Sequence, residues 1–382
     1  MKKIGIITVH NSPSYGASLQ SFALWKYLDG LSGCECEIID LYRPYQKEYA
    51  KSDVFVSYND KTTKSEYQFK RSIINIIKRI LHYHIDVKPN SSDLRRLERF
   101  NEFNKVISLS KPYFGPDELY NDPPLYDVYI SGSDQIWNPE QPWSMEPYFL
   151  TFAPKNRIKI SYASSIGLKE LPKGVAQDYK RWLSDYRAIG VRENSAKTLL
   201  ASFGVQSTVV CDPTFLLDSS YWKKISVTPK ERDYILLFIL QQDNTLINYA
   251  IKVAKESGKQ LILLCQDGIT SDHYKLVPDA GPKEFIGYIG NANLVITNSF
   301  HGTAFSIIMN VNNFFAYVSP SNKRGSRLID LLATYELSNH LLNSNLHQSY
   351  SDLKRISIDH EKVLSIMASE RKRSQTFIKE NI

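Results

Sequence analysis

Leu294-Val295-Ile296-Thr297-Asn298-Ser299-Phe300-His301-Gly302-Thr303-Ala304-Phe305-Ser306 opens on a short apolar run that suits a buried strand. It passes through small polar residues and one histidine, then re-enters an apolar helical pattern from Ala304 to Ile308. His301 therefore stands at the carboxyl end of a predicted strand beside a helix start, where open parallel α/β sheets place their ligands. Most lone histidines are structural or surface residues, so the position favours a functional role without deciding it.

Working outward, the same joint recurs. Strand Ile4–Val9 leads into a polar turn and a helix from about Leu19 to Leu28, and Cys36–Leu41 is a second strand. After an interruption from about Pro44 to Ser110, strands are predicted at Tyr126–Ile130, Lys159–Ala163, Ala188–Val191 and Thr208–Cys211. A polar, charged break near Leu217–Arg232 precedes a second set at Tyr234–Leu240, Gln260–Cys265, Leu294–Thr297 and Phe314–Val318. Strands alternating with amphipathic helices predict parallel sheets covered by helices, an α/β fold. The expected domains are 1–220, carrying a basic helical insert at about 44–110, and 221–340. Residues 341–382 are read as amphipathic helices that pack back across both.

With 382 residues the chain is long enough for two cores. No apolar run approaches the ~20 residues of a membrane span. The apolar part of the first ten residues is too short for a signal segment. The four cysteines lack paired metal-ligand spacing, so no metal and reduced, cytoplasmic thiols are expected. The formal charge of +7 is uneven: between Lys61 and Lys105 eleven Lys or Arg accompany five Asp or Glu. A basic stripe confined to one segment argues against a nucleic-acid partner. Tyr67–Tyr83 has apolar residues at helical spacing beside Lys70, Arg71, Lys78 and Arg79. That pattern fits either a helix lying on an anionic membrane surface or an insertion helix with a solvated basic flank.

Polar clusters close most of these strands: Asn11 to Tyr15, Ser131 to Asn138, Ser164-Ser165, Arg192-Glu193-Asn194, Asp212-Pro213-Thr214, Gln241-Gln242, Gln266-Asp267 and Asn298 to His301. In parallel sheets these ends share one edge, and two such edges facing each other form a polar cleft. Arg192 follows a buried strand and precedes a helix start, so guanidinium and helix amides converge on one anion, or it pairs with Glu193. Lys323, Arg324 and Arg327 form a second basic group. Neither a P-loop nor a dinucleotide-binding glycine motif follows the first strand, and nucleophile-elbow and H-E-x-x-H patterns are absent.

Six pieces, in this order, resemble the polysaccharide pyruvyl transferase family: Tyr15-Gly16-Ala17-Ser18-Leu19-Gln20, Ser131-Gly132-Ser133-Asp134-Gln135-Ile136-Trp137, Val191-Arg192-Glu193, Asp212-Pro213-Thr214, Gly281-Pro282 with Glu284-Phe285, and Asn298-Ser299-Phe300-His301-Gly302-Thr303. The resemblance covers roughly 1–42 and 126–335. It implies two Rossmann-like domains arranged as in B-type glycosyltransferases. It also implies transfer of pyruvate from phosphoenolpyruvate, a co-substrate needing no cofactor, to a glycan acceptor, including a lipid-linked one. His301 then matches the family's acid, with Asp134 as a base for the acceptor hydroxyl. Arg192, Asn298, Ser299, Gly302, Lys323, Arg324 and Arg327 fall to the donor. Tyr15, Gln20, Trp137 and Asp212 fall to the acceptor, with Trp143 a further candidate for stacking on sugars. Many members carry arginine where this chain has Ser299, so its charge is either missing here or supplied by Lys323, Arg324 or Arg327. A nucleotide-sugar glycosyltransferase and a non-catalytic glycan-binding relative are the alternatives on the same fold.

Overall fold

A computed structural model describes residues 1–44, 46–50, 52, 91–141, 146–240, 243–265, 270–320, 325–342, 344 and 346–382. It contains two sheets in which every strand pairing is parallel. The first runs β3-β2-β1-β4-β5-β6-β7, with β1 Lys2–Ile7, β2 Cys34–Leu41, β3 Leu109–Tyr113, β4 Val128–Ser131, β5 Ile158–Ser164, β6 Ala188–Val191 and β7 Thr208–Val209. The second runs β10-β9-β8-β11-β12, with β8 Tyr234–Phe238, β9 Gln260–Leu264, β10 Lys275–Val277, β11 Leu294–Thr297 and β12 Phe314–Ala316. Central strands such as β8 and β11 are buried along their whole length, because helices cover both sheet faces and leave no wet side.

Strand order reverses between β1 and β4 in the first sheet and between β8 and β11 in the second. These are the switch points at which a crevice opens past the carboxyl ends of the strands. The segment 297–301 lies at the second of them, and the loop 131–134 at the first. The architecture is two-domain α/β, as the strand–helix alternation predicts.

The two halves are packed together. Phe22 of helix Tyr15–Asp29 lies 6.0 Å from Trp222, which meets Phe305 of helix Phe300–Ile308 edge-on at 5.0 Å. The final helix, His360–Asn381, returns to the first sheet. Ser374 Oγ accepts from the Cys211 amide at 2.9 Å, Arg371 Nε donates to Phe215 O at 2.6 Å, and Ile378 is wholly buried. Of the insert, helix Ser91–Asn104 is described, and it bridges the halves. Arg95 and Arg99 both pair with Asp279, at 3.2 and 3.3 Å, and Arg99 also approaches Glu284.

Two strands escape the sequence reading, β3 and β10, and both are sheet edges. Residues 67–83, Trp143, Gln241, Gln242, Gln266, Asp267, Lys323 and Arg324 lie outside the described residues. Among the described residues, no helix is long and apolar enough to cross a membrane.

Candidate active site

His301 occupies the first turn of helix Phe300–Ile308, directly after β11. Ser299 caps that helix, its hydroxyl accepting from the Gly302 amide at 3.3 Å. Thr297 Oγ1 donates to Phe238 O at 2.8 Å and so ties β11 to β8 at the switch point. Gly302 has to be glycine: a Cβ there would stand 2.4 Å from Thr297 Oγ1 and 2.8 Å from the Phe238 ring. The joint thus holds the histidine ring at the edge of the second sheet by backbone and cap geometry.

The first half meets that ring from the other side. A Cβ on Gly16 would fall 2.2 Å from His301 Nδ1, so the ring packs directly on the start of helix Tyr15–Asp29. The other ring nitrogen, Nε2, is buried without a hydrogen-bond partner. It lies 3.7 Å from Asp212 Oδ2, too long for a hydrogen bond but short enough for charge to act.

Asp212 is the hub. Its Oδ1 accepts from the amide and hydroxyl of Thr214 at 3.0 and 2.8 Å, and its Oδ2 accepts from Arg192 Nη1 at 2.9 Å. Burial by itself raises the Asp212 pKa, but the His301 ring, the Arg192 guanidinium and the Thr214 amide outweigh it and hold the carboxyl well below the usual carboxylate range. Arg192 is also approached by Asp134 at 3.7 Å and Glu193 at 3.8 Å. Burial alone disfavours its charge, and these three carboxylates reverse that and raise its pKa. Its guanidinium lies 4.4 Å over the Phe300 ring, and its Nε and Nη2 have no hydrogen-bond partner. The salt-bridge reading of Arg192 therefore holds in space, and two of its donors remain uncommitted.

Glu193 completes the cluster. Its Oε1 accepts from Ser165 Oγ, Ile166 N and Gly167 N at 2.8, 3.1 and 3.1 Å, fixing the loop after β5. Asp134 keeps a left-handed backbone (φ 72°) and a partly exposed side chain beside Arg192, a conformation aspartate tolerates better than most residues. From the second half, the Arg327 guanidinium lies against the Gln135 side-chain amide, Nη2 at 2.6 Å and Nη1 at 2.9 Å, and the amide orientation that satisfies both groups turns its oxygen to the arginine. Asp330 accepts from the Ser195 amide at 3.4 Å, at the start of helix Asn194–Ala201. Arg192, Glu193, Asp212, Phe300, Arg327 and Asp330 all line one pocket between the halves. Asn298 stands beside the helix cap, with a buried Oδ1 that lacks a partner.

The four expected acceptor contacts lie inside the protein instead. Tyr15 is stacked on Phe285 at 4.6 Å, edge-on to Phe238, and donates its hydroxyl to Ala280 O at 2.8 Å. Burial pushes its phenol up to about 12, so it stays a donor. Gln20 is fully buried and binds Thr8 Oγ1, Val9 O and the Ser133 amide, joining β1 to the loop after β4. Trp137 is stacked on Phe149 at 5.1 Å and donates to Tyr148 O. Asp212 has both oxygens committed, as above. Aromatic and amide residues beside strand-end turns read alike whether they face a ligand or close a buried loop. Glu193 was read as a salt-bridge partner of Arg192, whereas Gly16 and Asp330 are site residues to which the sequence reading gave no role. Of these two, Gly16 carried a signal as a lone glycine in a helix start.

A family model, polysaccharide pyruvyl transferase, matches residues 15–320. The chain belongs to the polysaccharide pyruvyl transferase family. No curated protein sequence matches it. Among solved structures, the N-terminal domain of Candida albicans trehalose-6-phosphate phosphatase is 9% identical with a TM-score of 0.53, over 99% of this chain and 96% of that one. A Listeria monocytogenes structure assigned as a UDP-N-acetylglucosamine 2-epimerase gives 12% and 0.52, over 99% and 95%. The UDP-GlcNAc 2-epimerase of Neisseria meningitidis, solved with UDP-GlcNAc bound, gives 10% and 0.50, over 99% and 100%. At such identities the likeness is one of fold, and this pyruvyl transferase family member has the two-domain fold of the B-type glycosyltransferases.

Proposed function

We propose that this protein transfers pyruvate from phosphoenolpyruvate to two hydroxyls of a sugar, closing a cyclic ketal on a surface polysaccharide or its lipid-linked precursor. The observation that supports the reading is the His301–Asp212–Arg192 assembly at facing sheet edges of a family member. Protonated His301 gives its Nε2 proton to the methylene carbon of phosphoenolpyruvate, whose π pair forms the new C–H bond. The carbon bearing the phosphate oxygen becomes oxocarbenium-like, and a sugar hydroxyl attacks it with Asp134 accepting the proton. The second hydroxyl attacks the same carbon and returns a proton to His301. Inorganic phosphate departs with the electron pair of its C–O bond and the proton held by Asp134. Asp212 stabilises the imidazolium from which the sequence starts and to which it returns.

The donor is an anion at both ends, and the cations assigned to it are Arg327 and the uncommitted donors of Arg192, with Lys323 and Arg324. Ser299, whose hydroxyl proton is not used in the cap, joins Asn298 and the Gly302 turn on the same side. The test is acceptor-dependent release of phosphate from phosphoenolpyruvate across a panel of glycans. Release is expected with at least one acceptor, and none with any of them would refute the reading. Phosphoenolpyruvate at about 100 times its Kd should add about 2.7 kcal/mol to stability in a melting assay. Stabilisation by UDP in its place would select the nucleotide-sugar alternative.

Gly16→Ala offers a check on the geometry. The new methyl has to displace the His301 ring, and a shift of about 1 Å at a reacting group costs roughly 10²-fold in rate. The far-UV circular dichroism should be unchanged while kcat falls; an unaltered kcat would mean that the ring position is immaterial.

A further inference from the structure

The second sheet has two ends, and only one of them faces the cleft. At the other, a cavity of about 390 Å³ opens where β11 and β12 begin and where helix Tyr350–Arg355 gives way to the final helix. Leu294 lines it, whereas Thr297, about 10 Å further along the same strand, leads into the cleft and His301. Parallel sheets carry their ligands past the carboxyl ends of the strands. This cavity lies past the amino ends, so it is no part of the cleft, and its volume is that of a small-molecule site.

Its walls are tied in place. Asn313, just before β12, donates Nδ2 to Leu353 O at 3.1 Å and to Ile356 O at 3.4 Å, which holds the link between the two helices against the sheet. The Tyr350 amide donates to Glu256 Oε2 at 2.7 Å and fixes the start of the short helix. His360, which opens the final helix on the cavity rim, is held through Nδ1 to Asn310 Oδ1 at 2.6 Å.

The lining has a definite chemistry. Among the described residues no aspartate or glutamate lines the cavity. Lys259 does, but it pairs with Asp233, so the charge left over is that of Lys354, which is exposed and makes no ion pair or hydrogen bond among the described residues. The side-chain amides of Asn293 and Asn312 and the Tyr350 hydroxyl are uncommitted in the same sense. An amide offers donors and an acceptor together, the combination that a ligand hydroxyl asks for. Leu294, Leu353, Ile356 and Ile358 add apolar surface beside the Tyr350 ring. A sugar ring presents this same mixture, with C–H faces for the apolar side chains and hydroxyls for the amides.

We propose that this cavity is a second ligand site and takes an anionic monosaccharide. The phosphate or carboxylate meets Lys354 in a charge-assisted hydrogen bond, and the ring hydroxyls meet Asn293 and Asn312. The assignment goes beyond the pyruvyl-transfer reading and does not depend on it.

Calorimetry on the full-length protein tests this, with glucose 6-phosphate, glucuronate, glucose and inorganic phosphate as separate probes. Glucose 6-phosphate or glucuronate should bind, and which of them binds tells phosphate from carboxylate. Glucose and inorganic phosphate each carry half of the chemistry and should bind at least about 10-fold more weakly. Lys354→Gln should weaken the bound sugar about 10- to 100-fold, and Asn312→Ala about 2- to 10-fold. Both side chains are exposed, so the ligand-free melting midpoints of these variants should match the wild type's. His301→Gln, which alters only the cleft, should keep wild-type affinity for the sugar. Binding by neither anionic sugar would overturn the proposal, and so would wild-type affinity in Lys354→Gln. Inorganic phosphate bound as tightly as the anionic sugar would overturn the sugar assignment, and glucose bound as tightly would overturn the role of the charge. Affinity lost in His301→Gln would put the ligand in the cleft and overturn the second site. Sugar binding that depends on Lys354 in a protein with no turnover of phosphoenolpyruvate would sink the pyruvyl-transfer reading and leave this one standing.

Discussion

His301→Gln is expected to lower acceptor-dependent phosphate release from phosphoenolpyruvate by about 10²- to 10⁴-fold, the range typical of removing a positioned general acid. Glutamine keeps much of the ring's volume and a polar end near Asp212, so the cluster should survive and the fold with it. The loss should fall on kcat, because the proton is shared between the histidine and the methylene carbon only in the transition state, as the oxocarbenium-like centre forms. Binding of phosphoenolpyruvate, measured by calorimetry, should change little. The geometry behind the expectation is specific: Nδ1 is packed on Gly16, and Nε2 is the buried nitrogen with no hydrogen-bond partner. A variant that retains its full rate would remove His301 from the chemistry.

Arg192→Met is expected to cost about 3–5 kcal/mol of stability, since it strands the buried carboxylates of Asp212 and Glu193 without their cation. Its contact with Phe300 is kept, so the loss reads charge and not volume. The pH dependence follows from Asp212, whose folded pKa is depressed. A depressed carboxyl contributes stability that is fully present above the unfolded value of about 3.9 and is lost as pH falls below it. The wild type should therefore lose stability on acidification, and Asp212→Asn should flatten that acid limb while lowering the midpoint at neutral pH. Chemical denaturation of the three proteins between neutral and acid pH measures both effects. An Arg192→Met protein as stable as the wild type at neutral pH would show that the cluster is not electrostatically held.

How much of this was legible in the sequence divides along physical lines. The central strands β6 and β11 coincide with their predicted spans because a strand buried on both faces has to be apolar throughout. The edge strands β3 and β10 carry no such mark. Leu109–Tyr113 buries only Tyr113 and contains Pro112, which an edge tolerates because one side of the strand needs no partner. At the site, the histidine was legible because its place at a strand end is a property of local order. That Trp137 and Tyr15 are buried was not legible, because the direction of a side chain at a turn depends on what packs on it from elsewhere.

The return of the last helix to the first sheet bears on how the protein is made. Residues 1–209 hold every strand of the seven-stranded sheet and leave the ribosome before helix His360–Asn381. Yet Cys211 awaits Ser374, Phe215 awaits Arg371, and Phe377 fills the space over Gly190. The first sheet is thus completed by a segment that lies 163 residues further along the chain than the strand end it packs on. The cluster around Asp212, one residue from that contact, takes its final packing only once helix His360–Asn381 has been made and has docked.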